Sequence, residues 1–146
     1  MHEDLAPQPA ATATALPARY YVEPAMAGID REAILDRSWQ LIAHVSQLRD
    51  AGDHVVADLG GLPVIGVRGA DGEIRVFHNV CRHRAGPIAQ CDGLAAKSLR
   101  CRYHGWNYGL DGVLKSAPEM KDALDFDPAG VRLPQLATKV WQGMLF

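Results

Sequence analysis

The sequence predicts a mainly β protein of small antiparallel sheets with one short N-terminal helix. Three observations carry this. Short runs rich in β-branched and aromatic residues recur through "DHVVADLGG", "LPVIGVRG" and "EIRVFHNV". Glycine-bearing turns, "AGD", "GG" and "GADGE", separate them. The runs stand too close together for βαβ units, whose parallel strands need long crossovers.

The elements follow in chain order. Residues 1–18 are rich in Ala, Pro and Thr without a hydrophobic period, and read as a flexible lead-in to a domain over 19–146. Structure is expected to begin near "RYYVEP". In "GIDREAILDRSWQ", Asp30 stands as an N-cap and Ile34, Leu35 and Trp39 share a face, which predicts a helix over 31–37. "WQLIAHVSQL" reads as a first strand. "VIGVRGADGEIRVF" reads as a hairpin turning at Asp71-Gly72. From Cys81 to Leu110 the chain is loop-like, with short strands expected around "KSLRC" and "WNYGLDG" and a small last hairpin turning at Asp111-Gly112. "DFDPAGVRLPQ" reads as a connector and "TKVWQGMLF" as one final strand. Ending on an apolar strand suggests a chain that continues.

Composition narrows the function. With 146 residues, 48% apolar and 22% charged, the chain can bury one core. A net charge of −2 gives no global basic footprint for nucleic acid. No apolar run approaches the roughly 20 residues that span a bilayer. The acidic, Pro-bearing start "MHEDLAPQPA" lacks the basic and apolar regions of a secretory signal. A cytoplasmic location is therefore expected, where thiols stay reduced. Three cysteines make no disulfide framework.

Two of those cysteines stand beside histidines. The pattern is Cys81-x-His83, seventeen further residues, then Cys101-x-x-His104. Four such ligands in two tight pairs suit zinc or an iron–sulfur cluster. One intervening residue, as in Cys81-Arg82-His83, is tight for chelating a single tetrahedral ion. It is natural if the pair serves two neighbouring metals, one iron taking both cysteines and the other both histidines. A structural zinc domain remains the alternative.

"CRHRAG…CRYHGWNYGLDG" resembles the Rieske domain of the large, or α, subunit of aromatic-ring-hydroxylating oxygenases, and the resemblance extends over residues 20–146. It implies the Rieske iron–sulfur fold with two cluster-binding loops, and a [2Fe-2S] cluster on Cys81, His83, Cys101 and His104. It implies that the chain is part of an oxidoreductase, a dioxygenase-like system of aromatic compound catabolism. Electrons would arrive from a ferredoxin or reductase and pass to a mononuclear non-haem Fe(II) in a catalytic domain, in this or another α subunit. That iron site needs two histidines and a carboxylate. His2, His44, His54 and His78 supply no such group, so the chain is expected to lack the catalytic site. Respiratory Rieske proteins brace the two loops with a disulfide; here Gly86 and Tyr103 occupy those places, which favours the oxygenase branch. A stand-alone Rieske ferredoxin is the runner-up.

Around the four ligands, Arg84, Gly86, Tyr103, Gly105 and Trp106 are candidates for the surrounding shell. Ala85, Gly86 and Gly105 are small enough to let backbone amides approach cluster sulfurs, or are ordinary turn residues. Arg82, Arg84, Arg100 and Arg102 offer charge for docking an acidic donor, or are solvated loop arginines. Trp106 and Tyr108 either cover a cluster or fill the core. Cys91 matches neither ligand place, and His44 and His78 read as structural, with His78 near enough to the first loop for a supporting role.

Overall fold

The computed structural model describes residues 6–120 and 122–146. The chain divides into two compact units, one ending at Trp39 and the other spanning Gln40–Phe146. The first holds helices α1 (Arg19–Val22) and α2 (Pro24–Ala33) and a 3-10 turn at Leu35–Arg37. Neither helix buries a residue. The helix expected over 31–37 therefore lies earlier, and Asp30 sits inside it rather than capping it. Pro24 explains the shift: at the first helical position its ring presets φ and its missing N–H costs nothing. Ala25, Met26, Ala27 and Arg31 then propagate the helix until Ile34 leaves helical geometry at φ −120°. No helix among the described residues is long and apolar enough to cross a membrane.

The second unit is built on a four-stranded antiparallel sheet, β2 (His54–Asp58), β3 (Pro63–Arg68), β4 (Ile74–His78) and β8 (Gln135–Leu136), in the order β2-β3-β4-β8. The expected hairpin turns at Asp71-Gly72 and pairs Val67 with Arg75 and Ile65 with Phe77. The connector ends in β8, which adds itself to the edge of β4.

Strand β3 is buried on both faces. Alternation sends Ile65 and Val67 to one side, with Phe77, Leu99, Trp106 and Tyr108, and Val64 to the other, with Val55, Val76 and Leu145. Each such side chain contributes roughly 1.5–3 kcal/mol on burial. Two small sheets supply the covers. One, in the order β1-β10-β9, joins β1 (Ala43–His44), β9 (Val140–Trp141) and β10 (Met144–Leu145). The other runs through β5 (Leu99–Arg100), β6 (Asn107–Tyr108) and β7 (Leu114–Ser116).

Two strand expectations are corrected. "WQLIAHVSQL" gives only the two residues of β1 before a 3-10 turn at Val45–Gln47, capped by the His44 ring, which accepts from the Ser46 N–H. "TKVWQGMLF" is a hairpin rather than one strand. Gln142 and Gly143 take φ 48° and 80°, the left-handed pair that a two-residue turn requires, and Trp141 pairs with Met144 across it.

Candidate metal centre

The two cysteine–histidine segments fold into the same main-chain frame. In the first loop, the Cys81 N–H donates to the Gly86 carbonyl at 2.8 Å and the Ala85 N–H donates to the Cys81 carbonyl at 3.0 Å. In the second, the Cys101 N–H donates to the Trp106 carbonyl at 2.9 Å and the Gly105 N–H to the Cys101 carbonyl at 3.0 Å. The fifth residue of each frame is left-handed, Ala85 at φ 57° and Gly105 at φ 74°. Only the histidine register differs, third in one frame and fourth in the other.

The frames face each other. A Cβ built on Gly86 would lie 3.4 Å from both the Cys101 Sγ and the Tyr103 Cβ, so the first loop's closing residue rests on the second loop. The His83 and His104 rings meet edge to face at 4.7 Å between centroids. Both cysteine side chains are buried, and none of Cys81, Cys91 and Cys101 is in a disulfide. All four expected ligands therefore come together at one end of the unit, over the core that contains Ile65, Phe77 and Leu133.

This geometry leaves polar atoms without protein partners. The Nδ1 of His83 is buried and makes no hydrogen bond. An unmet nitrogen of this kind beside two buried thiols is the chemistry of a metal ligand set. Desolvation, with His104 and Arg84 nearby, pushes the His83 pKa down and favours the neutral imidazole, the form that a metal ligand requires. Burial pushes the Cys101 thiol up, with Cys81 adding to the shift, so a metal binding there must displace a proton. Among the described residues, no group of three or more His, Cys, Asp or Glu side chains is placed to hold a single metal ion.

The surrounding residues separate into those that touch the pair of loops and those that do not. Trp106 stacks on His83, with centroids 4.8 Å apart and planes 9° from parallel. Tyr103, largely exposed, tilts over His104 at 3.8 Å. Gly105 lies beside the Arg100 guanidinium. Arg82, Arg84, Arg100 and Arg102 are all exposed. Each loop borders an open groove. That of the second is about 810 Å³ and includes Arg100, Arg102, Tyr103 and His104; that of the first is about 480 Å³ and includes His78, Arg82, His83 and Arg84. Cys91 is exposed on the wall of the larger groove, apart from the two buried thiols. His78 lines the smaller groove while pairing with Val64 in the sheet.

Two residues have clearer roles than the sequence gave reason to expect. Tyr108 was equally readable as a core filler or a cover, yet its hydroxyl lies 3.2 Å from the Cys81 Sγ and accepts from the Arg82 N–H at 3.1 Å. Burial, then the Cys81 contact, pushes its pKa upward, so it stays a protonated donor. Asn79 lies outside the motifs that the sequence presents. Its Oδ1 accepts from the Ile88 and Ala89 N–H groups at 2.9 and 3.0 Å, and its Nδ2 donates to the Ala89 carbonyl at 2.7 Å. A polar residue two places before Cys81, at the end of an apolar strand, was the available signal.

Residues 38–137 match the Rieske [2Fe-2S] domain family. The biphenyl 2,3-dioxygenase α subunit of Rhodococcus jostii (strain RHA1) is 39% identical over 134 residues, which cover 88% of this chain and 28% of that protein. The carnitine monooxygenase oxygenase subunit of Escherichia coli (strain K12) is 33% identical, covering 90% and 35%. Among solved structures, naphthalene 1,2-dioxygenase from Rhodococcus sp. superposes with a TM-score of 0.82 at 30% identity, covering 89% of this chain and 30% of that one. The chain thus spans about a third of the length of the proteins it matches, in the part that carries the iron–sulfur centre. With the paired loops in place and 100 residues matched, the chain belongs to the Rieske [2Fe-2S] domain family.

Proposed function

We propose that this chain is the electron-relay module of a Rieske oxygenase α subunit, and that Cys81, Cys101, His83 and His104 hold its [2Fe-2S] cluster. The observation that carries this is the convergence of two identical loop frames, which bring the four side chains together and leave the His83 Nδ1 buried without a partner. When bound, such a cluster supplies one-electron chemistry, and two imidazoles in place of two thiolates raise its potential relative to an all-cysteine cluster.

The chain's own residues do the rest. The core under the loops keeps water from the cysteine side, where both thiols are buried. Tyr108 donates toward Cys81 and so favours negative charge at that sulfur. His104 and Tyr103 stand at the wall of the open groove, the accessible side for electron exchange. The exposed arginines give that end positive charge for steering an acidic ferredoxin or reductase. The mononuclear iron and the substrate pocket are proposed to lie in a catalytic domain outside this chain. Relatives named for biphenyl, carnitine and choline all match this chain over most of its length, which supports a substrate choice made outside it. A reducing, cytoplasmic compartment is proposed for the chain. Within the chain, residues 1–18 are proposed as a lead-in and 19–146 as the domain proper.

The test is visible absorption, EPR, iron and acid-labile sulfide on anaerobically purified protein, before and after dithionite. Brown protein with two irons and two sulfides per chain, and an EPR signal that appears on reduction, is the expected result. Protein that stays colourless and binds zinc after anaerobic reconstitution with iron and sulfide would overturn the proposal.

A further inference from the structure

We infer that Trp106 is a positioning residue that fixes the plane of the His83 imidazole through its ring face; this rests on the cluster-holding reading above. The His83 Nδ1 makes no hydrogen bond to the protein, so beside any metal it would hold, ring contacts are what the protein itself supplies to set the plane of the imidazole. Its face lies parallel to the Trp106 indole at 4.8 Å, and its other ring neighbour, His104, meets it edge to face. An aromatic face laid flat on an imidazole resists rotation of that ring and excludes water from one side of it.

Trp106 is itself well anchored. It is 5% exposed, packs against Phe126 at 5.7 Å, and its carbonyl accepts the Cys101 N–H that closes the second loop. One residue thus joins the frame of the second loop to the histidine of the first. The indole N–H is buried and has no protein acceptor, so its ring face, not its polar atom, makes the contact with His83. His104 has a different neighbour, the largely exposed Tyr103. The two imidazoles therefore depend on different residues, and disturbing Trp106 should be felt by one of them alone.

The experiment uses the full chain, loaded with cluster, as wild type, W106F and W106L. Iron and sulfide are counted first, and wild-type protein without a cluster would indict the cluster reading rather than this inference. Pulsed EPR of the reduced proteins then measures the ¹⁴N couplings of the two ligating imidazoles, and a redox titration gives the potential. W106F keeps an aromatic face and is expected to keep both couplings. W106L loses the face: one coupling should change while the other stays. Its potential should rise, as water reaching His83 stabilises the more negative reduced state. Unchanged couplings in W106L, equal changes in both, or changes in W106F as large as those in W106L would overturn the inference. If W106L fails to hold a cluster, W106F decides: wild-type couplings there support the role of the face, and altered couplings or a lost cluster overturn it.

Discussion

The two ligand loops share a hydrogen-bonding frame and differ in what stands behind it. The second loop is the turn of a β-hairpin: β5 and β6 pair Leu99 with Tyr108 and Arg100 with Asn107, so a main-chain ladder closes it. The first loop leaves β4 and has no such ladder. Its far end is held by one side chain, Asn79, which satisfies Ile88 and Ala89 as a neighbouring strand would. The same local geometry is thus stabilised once by backbone and once by a side chain. A ladder tolerates substitution because every residue but proline supplies an N–H and a C=O, whereas a side-chain brace is lost with a single change.

The sharpest test of equivalence is at the cysteines. If both loops serve one site, C81S and C101S should each abolish the visible chromophore and the reduced EPR signal, with iron and sulfide lost together. Retention of the full signal in either variant would show that the loops are not joint holders of one centre.

The difference in bracing predicts the next effect. N79A strands two N–H groups, one on buried Ile88, and should destabilise the chain by roughly 2–5 kcal/mol in chemical denaturation. N79D keeps the one oxygen that accepts both N–H groups but sets a second, anionic oxygen against the Ala89 carbonyl, so it too should be less stable than wild type. An alanine variant with wild-type stability would mean that the first loop holds itself.

Tyr108 reaches across the comparison, since it sits in the hairpin of the second loop and contacts the first. Y108F removes a donor to the Cys81 sulfur. A hydrogen bond worth about 1 kcal/mol, if spent wholly on the reduced state, corresponds to a fall of roughly 40 mV for one electron. Redox titration measures it. A potential equal to wild type would make the hydroxyl a structural prop for Arg82 alone.

The sequence showed the parts of this site that depend on residue type. Cys81, His83, Cys101 and His104 were legible because few other pressures place cysteine and histidine in two tight pairs. The sheet was legible where strands alternate or carry β-branched residues, as in Pro63–Arg68 and Ile74–His78. The bend within "TKVWQGMLF" was not, because Gln142 is a poor turn signal and only Gly143 hinted at positive φ. Helix α2 was displaced because Asp30 looks like a cap unless Pro24 is weighed against it. Asn79 and Tyr108 escaped for a different reason: hydrogen bonds to Ile88 or to Cys81 are products of tertiary folding and leave no local pattern.

The smallest expected effect is that of A85G, at the fifth residue of its frame, where the loops demand the same conformation and the sequence answers differently. Ala85 holds φ 57° with a Cβ, a conformation that costs an L-residue about 1 kcal/mol, while Gly105 holds φ 74° at no steric cost. A85G should therefore stabilise the chain slightly, by up to roughly 0.5 kcal/mol, because relief of about 1 kcal/mol of left-handed strain exceeds glycine's entropy loss of roughly 0.5–1 kcal/mol. G105A should destabilise it by about 1–2 kcal/mol, since it imposes the same strain and also presses a Cβ to 3.2 Å from the Arg100 guanidinium. Denaturation midpoints of the two variants, read beside wild type, compare the frames directly. Opposite signs would establish that the loops share one backbone requirement. A destabilised A85G would show that the alanine methyl makes a contact worth more than the strain, and that the two frames are alike in hydrogen bonding but not in energy.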